Sequence, residues 1–197
     1  MNFLAHCFLS KGTAFSLYGN LLGDFIAGAD LQALPDEVLQ GLENHKLVDR
    51  FTDAHPALEP LKIAVSKDRR RYIGIISDVV FDYFLIKHWQ NYHPQEIRVF
   101  VEDVYHQIRQ VLAMMHPRMQ QSMQFMLAHD GLLVNRDLAG VDVTLNRLSK
   151  RIRFKNKLHG AVDEIEENYA VFETAFLTLM PALIKIVERE NLENQAA

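Results

Sequence analysis

A chain of 197 residues, 49% apolar and 23% charged, has the make-up of an ordinary globular protein with room for one substantial core. Its net charge of −4 argues against a globally basic nucleic-acid binder, and a single cysteine, Cys7, rules out an internal disulfide framework. The opening MNFLAHCFLS lacks the positive start and small-residue cleavage site of a secretory leader, and no apolar run is read as nearing the ~20 residues of a membrane span, so a cytoplasmic setting away from membranes is expected.

The hydrophobic spacing predicts helix after helix. A short apolar helix covers Met1 to Ser10, broken by Lys11-Gly12, and Thr13 caps a second that runs to about Ala27. Pro35-Asp36-Glu37 opens a third, closed near His55-Pro56. Further helices are expected over 58–67, 70–90, 95–115, 118–129 and 142–154, and a last one over 158–190, bent before Pro181. Strand signals are poor and no Asn-Gly hairpin occurs. The expectation is an all-α, single-domain helical bundle over residues 1–190, with 191–197 a frayed tail.

Polar groups interrupt the apolar faces at helical intervals. In NHKLVDRFTDAHP, His45, Asp49 and Asp53 follow one another at four-residue steps and stack on one face. Two carboxylates about 6 Å apart, at an effective dielectric of about 20, repel by about 3 kcal/mol, a conflict that a divalent cation removes. The same pattern alone also fits an exposed acidic face. His6 lies inside the apolar FLAHCFL, Asn20 and Asp24 are one turn apart in GNLLGDF, and Asp78 and Asp82 are one turn apart in SDVVFDYFLIKHW. An aspartate among leucines and phenylalanines is costly to bury unless it is paired or metal-bound. Gly19 and Gly23 form a smooth patch open to close approach. Oxygen and imidazole donors without cysteine suit Mn²⁺, Mg²⁺ or Fe. Two basic clusters, Arg69-Arg70-Arg71 and the run from Arg147 to Lys157, stand apart from these acids.

The order NFLAH, GNLLGDF, H-x₃-D-x₂-TD, D-x₃-D-x₂-L-x₂-HW and the late YAVFETAF-x₃-MP resembles the bacterial acyl carrier protein phosphodiesterase family, a divergent branch of the HD-domain metal-dependent phosphohydrolases. The resemblance implies an HD-like helical fold. It also implies a hydrolase that removes 4′-phosphopantetheine from holo-acyl carrier protein with a divalent metal, typically Mn²⁺. It carries His6, Asp24, His45 and Asp78 as metal ligands. Asp49, Asp53 and Asp82 follow as outer-sphere or acid–base groups, Asn20 as an orienting residue, and His88 as a residue of structural weight. Ordinary HD proteins have histidine before the dyad aspartate where this chain has Gly23, and the family's opening often has a second histidine where this chain has Phe8.

Acyl carrier proteins are acidic, so Arg69, Arg70, Arg71, Arg147, Lys150, Arg151 and Arg153 are the expected docking residues. Three other readings stay open: a phosphohydrolase of nucleotides or other small phosphodiesters, a non-catalytic helical binder of an acidic partner, and a nucleic-acid binder, which the overall acidity opposes.

Overall fold

The helical spacing carries through: the computed structural model describes residues 1–152 and 154–194, and these contain ten α-helices and no strand. The chain is all-α. In order, the helices are α1 (Phe3–Phe8), α2 (Ala14–Leu22), α3 (Asp36–Ala54), α4 (Glu59–Ala64), α5 (Ile73–Lys87), α6 (Ile97–Val111), α7 (Pro117–Ala128), α8 (Leu138–Arg151), α9 (Ala161–Glu167) and α10 (Tyr169–Glu190).

Local chemistry fixes the ends. The Thr13 hydroxyl accepts from the Ser16 amide and starts α2, as the sequence predicts. Helix α3 carries Asp36 and Glu37 in its first turn, next to the unpaired amides that favour negative charge. Two boundaries differ from the expectation. Helix α8 begins at Leu138 rather than near Asp142, because the Asp137 carboxylate accepts from the Gly140 amide at 2.8 Å and caps it. The long final helix is two, divided at Asn168, whose side-chain amide donates back to the Glu164 carbonyl at 2.9 Å. Helix α10 then runs through Pro181 without a break.

One apolar cluster joins all the layers. Its centre is Leu17 and Leu21 of α2, Leu42 of α3, Phe81 and Phe84 of α5, and Phe172 and Phe176 of α10, each almost wholly shielded. The stretch Tyr169–Asn194 is long and apolar enough to cross a membrane by length and composition, which corrects the sequence reading. Seven of its residues, among them Phe172, Phe176 and Leu183, are nevertheless buried in the protein core. The tail also differs: Leu192–Asn194 forms a 3-10 turn, and Glu193 accepts from the Lys11 amide at 2.8 Å.

Helices α2 and α3 pack more closely than any side chain would allow. A Cβ on Gly19 would overlap the Val38 carbonyl and press on the Gly41 backbone, and one on Gly41 would press on the Ser16 carbonyl. This backbone-on-backbone crossing sets the distance between Asn20 on one helix and His45 on the other. Gly19→Ala is expected to force the pair apart and cost about 2–3 kcal/mol. Urea unfolding at equilibrium checks this; a midpoint equal to the wild type's rules out a tight crossing.

Candidate metal centre and active site

The site is assembled on α3, where His45 and Asp49 lie one turn apart. The His45 Nδ1 stands 2.7 Å from the backbone carbonyl of Asn20. A carbonyl accepts only, so Nδ1 donates to it, and Nε2, 3.0 Å from Asp49 Oδ2, donates to that carboxylate when the ring is protonated. From α1, the His6 ring stacks on His45 with centroids 4.0 Å apart and brings its own Nε2 to 3.2 Å from Asp49 Oδ1. Geometry keeps that approach from being a hydrogen bond: both ring nitrogens of His6 are buried without a hydrogen-bond partner. Burial pushes the His6 imidazole down to about 3, Asp49 opposing, so it is neutral near pH 7. Burial would lower His45 too, but the Asp49 hydrogen bond and charge, with Asp24 and the Asn20 carbonyl, outweigh it and hold that imidazole above its ordinary value. Asp49 itself is raised by burial yet held far below the usual carboxylate range by the two histidines and the Met1 amine.

Acids rim this floor. The Met1 amine lies 3.2 Å from Asp49 Oδ1 and 2.8 Å from Asp78 Oδ1. Burial disfavours its charge, but Asp78 and Asp49 push it up to about 11. His6 is fully enclosed while Asp49 and Asp78 remain 40% and 36% exposed, so the site opens to solvent on its acidic side. Asp24 stands at that opening, directly after α2; partial burial raises its carboxyl, with His45 opposing and Asp49 adding to the rise. Asp53, one turn beyond Asp49, is exposed and is likewise raised by partial burial and by Asp78.

Gly23 has a steric reason. The His45 ring fills the space that a side chain at residue 23 would need. A histidine, or any other side chain, at position 23 would collide with that ring.

As a place for a metal ion, the floor fits. Ligand atoms of His6, His45 and Asp49 all lie within 4.8 Å of one another, the His6 nitrogens are orphaned, and two imidazoles with one carboxylate suit a first-row divalent cation. Among the described residues this trio is the only such group. Asp49, expected in an outer role, therefore stands among the donors, whereas Asp24 and Asp78, expected as ligands, stand at the rim.

Two expected catalytic residues make scaffold contacts. Asp82 is buried and accepts from the amides of Leu4 at 3.2 Å and Ala5 at 3.1 Å, capping α1 and fixing His6 over α3. Its spacing from Asp78 suggested a second site acid. The N-terminus of α1, packed against the next turn of α5, claims it. The Asn20 side chain also turns away, donating to Ser16 and Glu193 and accepting from Asn44 at 2.9 Å; it is its backbone carbonyl that orients His45. Asn44 had only its helical place beside His45 to mark it, and Glu193 lay in the presumed tail. His88 ties α5 to α10 through Glu173 at 2.8 Å.

The two basic runs meet in space. The Arg69 guanidinium donates to the carbonyls of Lys157 at 2.8 Å and His159 at 2.9 Å and pairs with Glu164 at 2.6 Å, while the Tyr72 hydroxyl donates to the Lys155 carbonyl at 3.0 Å. Arg69 is thus committed to holding the segment after α8. Arg71 lies over the Tyr72 ring, and Arg147 over Phe125. Arg70, Lys150 and Arg151 are exposed; Arg153 lies outside the described residues.

Removing the cap tests the role of Asp82. Asp82→Ala is expected to cost about 2–3 kcal/mol, and Asp82→Asn, which keeps one acceptor oxygen, less. Burial pushes the Asp82 carboxyl up to about 7, the Ala5 and Leu4 amides opposing. The folded protein then binds more protons than the unfolded chain between about pH 4 and 7, so this group makes stability fall as pH rises through that window. Unfolding curves of Asp82→Asn should lack that slope; a slope equal to the wild type's excludes the assignment.

Comparison with known proteins bears on the whole chain. The family profile described as acyl carrier protein phosphodiesterase matches residues 1–183. Among curated relatives, the acyl carrier protein phosphodiesterase of Pectobacterium atrosepticum is 30% identical over 98% of this chain and 100% of its own length. Those of Escherichia coli O157:H7 and Photorhabdus laumondii are each 29% identical, over 98% and 97% of this chain and 100% and 97% of their own lengths. No solved structure matches. With a site of clustered histidines and aspartates on the segments that the profile covers, the chain belongs to the acyl carrier protein phosphodiesterase family.

Proposed function

We propose that this protein is a metal-dependent phosphodiesterase that hydrolyses 4′-phosphopantetheine from the modified serine of holo-acyl carrier protein, giving apo-carrier protein and free 4′-phosphopantetheine, in the cytoplasm. The observation that carries the reading is the buried His6–His45–Asp49 trio with its orphaned imidazole nitrogens, in a chain of this family. The relatives' names supply the substrate.

His6, His45 and Asp49 would hold the ion, with Asp24 and Asp78 as further candidate ligands from the open side. Mn²⁺, or Mg²⁺ or Fe in its stead, would supply charge neutralisation at the phosphoryl oxygens and a water of lowered pKa. The chain's own work is orientation and proton transfer. The Asn20 carbonyl keeps His45 Nε2 turned inward. Asp53, raised by partial burial and by the Asp78 charge, is suited to taking a proton from the attacking water and returning one to the departing serine oxygen. Water attacks phosphorus in line, the phosphorus–serine oxygen bond breaks, and the serine leaves as its hydroxyl. Kinship with the HD hydrolases is part of this reading: Asp24 would be the dyad aspartate, and the His45 ring takes the space beside it.

The acidic carrier protein would dock on the joined basic surface. Arg70, Arg71, Lys150 and Arg151 supply its charge, with Arg147 beside them. The turn bearing Arg70 and Arg71 precedes α5, and Asp78 lies six residues past Tyr72, about 9 Å along the helix axis. That separation suits a substrate whose protein body rests outside while its phosphodiester reaches the acids.

Mass spectrometry of holo-carrier protein incubated with and without Mn²⁺ and EDTA tests the reaction. Loss of the prosthetic group only with metal is expected. His6→Ala, His45→Ala and Asp49→Ala should each lower turnover by about 100-fold or more in a folded protein. Hydrolysis of nucleotides with the carrier protein left intact would redirect the assignment to a small phosphodiester, and complex formation that survives chelation without turnover would mark a binder. Reversing Arg70 and Arg151 to glutamate should raise KM for the carrier protein and flatten its salt dependence, while a small phosphodiester is cleaved as before. Equal losses on both substrates would remove the docking role.

A further inference from the structure

Helices α7 and α8 present a face whose charge the rest of the chain does not share. Helix α7 has no carboxylate along its 12 residues, and α8 has Asp142 alone, which accepts from the Asn146 side-chain amide at 2.8 Å. Against that acid stand Arg147, Lys150 and Arg151, all exposed, in a chain of net charge −4. Elsewhere Arg69, Lys87 and Arg98 each pair with a carboxylate, at 2.6, 2.8 and 2.8 Å. Among the described residues, Arg147, Lys150 and Arg151 pair with none. Apolar surface sits inside this charge. The Phe125 ring on α7 is 53% exposed, with the His129 ring 4.3 Å away on the same helix and the Arg147 guanidinium 5.9 Å away on α8. Val143, also exposed, precedes Arg147 by one turn and Arg151 follows it by one, so the three share a stripe. A lone exposed phenyl ring is ordinary. One set among cations that no carboxylate answers has the anatomy of an interface, an apolar centre within a charged rim.

We infer that Phe125 is the apolar anchor of a docking surface for an acidic protein, which would lay an apolar side chain against the ring and carboxylates along the Arg147–Arg151 stripe. The inference deepens the proposed function and rests on it for the partner's identity as the carrier protein. Charge chooses among the occupants. A second copy would bring the same unpaired cations face to face, and a long polyanion would meet repulsion from the net negative remainder of the chain. A small acidic protein matches both the cations and the ring. The stripe also leads toward the site. Helix α8 ends at Arg151, and four residues on, the Lys155 carbonyl accepts from the Tyr72 hydroxyl at 3.0 Å, just ahead of α5 and Asp78. Cations alone steer a partner in; the ring gives it apolar surface to bury, which lengthens its stay.

Titration calorimetry of the full chain with apo-carrier protein, which holds no scissile bond, reads the surface apart from the reaction. Phe125→Ala is expected to weaken binding by about 10-fold or more, and Phe125→Tyr, which keeps the ring, to bind like the wild type. The loss in Phe125→Ala should persist at high salt, whereas that in Arg147→Glu should be greatest at low salt. With holo-carrier protein, Phe125→Ala should raise KM and leave kcat as it was. Thermal unfolding controls for the fold; should Phe125→Ala fail to fold, Phe125→Leu carries the measurement with a smaller loss. A folded Phe125→Ala that binds apo-carrier protein as the wild type does overturns the inference, and the proposed function stands if holo-carrier protein is still cleaved. Binding of apo-carrier protein through Phe125 with no cleavage of the holo form upholds the inference and overturns the proposed function. A chain that neither binds nor cleaves overturns both. Self-association that Phe125→Ala abolishes, with carrier binding intact, overturns the inference and gives the face to a second copy.

Discussion

The Asp49 carboxylate lies between two imidazoles that have almost no other polar company, and much of the architecture follows from that placement. A negative charge half-sunk in an apolar interior needs nearby hydrogen or positive charge, and His45, His6 and the Met1 amine all come to within 3.2 Å of it. His6 has given up its solvent and gained no hydrogen bond, a loss that a folded protein rarely accepts without another use for the atoms. The scaffold holds it there regardless, with α1 clamped at its N-terminal end by the Asp82 carboxylate. A short helix of six residues has little stability of its own, so its position is a tertiary property.

The second constraint is steric. Three glycines, Gly19, Gly23 and Gly41, sit where a methyl group would strike a neighbouring backbone or the His45 ring. Two of them let α2 and α3 touch along their main chains, and the third clears room for an imidazole. Apolar packing supplies the force that holds the helices together, and the missing side chains decide how near they come. Distances of under 3 Å between a carbonyl on one helix and a ring nitrogen on the next depend on that nearness.

Much of this was legible in the sequence, for a definite reason. Four-residue steps on a helix translate directly into one face, so His45 with Asp49, and the inward turn of His6, followed from spacing in apolar surroundings. The all-α class followed for the same reason. Spacing fails where two residues on one stripe meet different partners. Asp78 and Asp82 are related by one turn, yet the first faces the Met1 amine and the second the amides of α1, because what lies above each was set by another segment. The same limit separates Arg69, spent on carbonyls and Glu164, from its exposed neighbour Arg70. It also hid the docked turn after α10, whose polar composition reads as solvent-loving until Lys11, Ser16 and Asn20 are seen beneath it.

Arg69 has a consequence of its own. Its planar fork satisfies two carbonyls and one carboxylate from a segment more than eighty residues away, and so aligns the neighbouring cations without adding its own charge to the surface. A lysine there would keep the sign and lose the geometry, since one ammonium on a flexible stem cannot span three acceptors spread across a plane. Recognition of an acidic visitor by this face would then depend on the shape of a single hidden cation as much as on how many visible ones surround it.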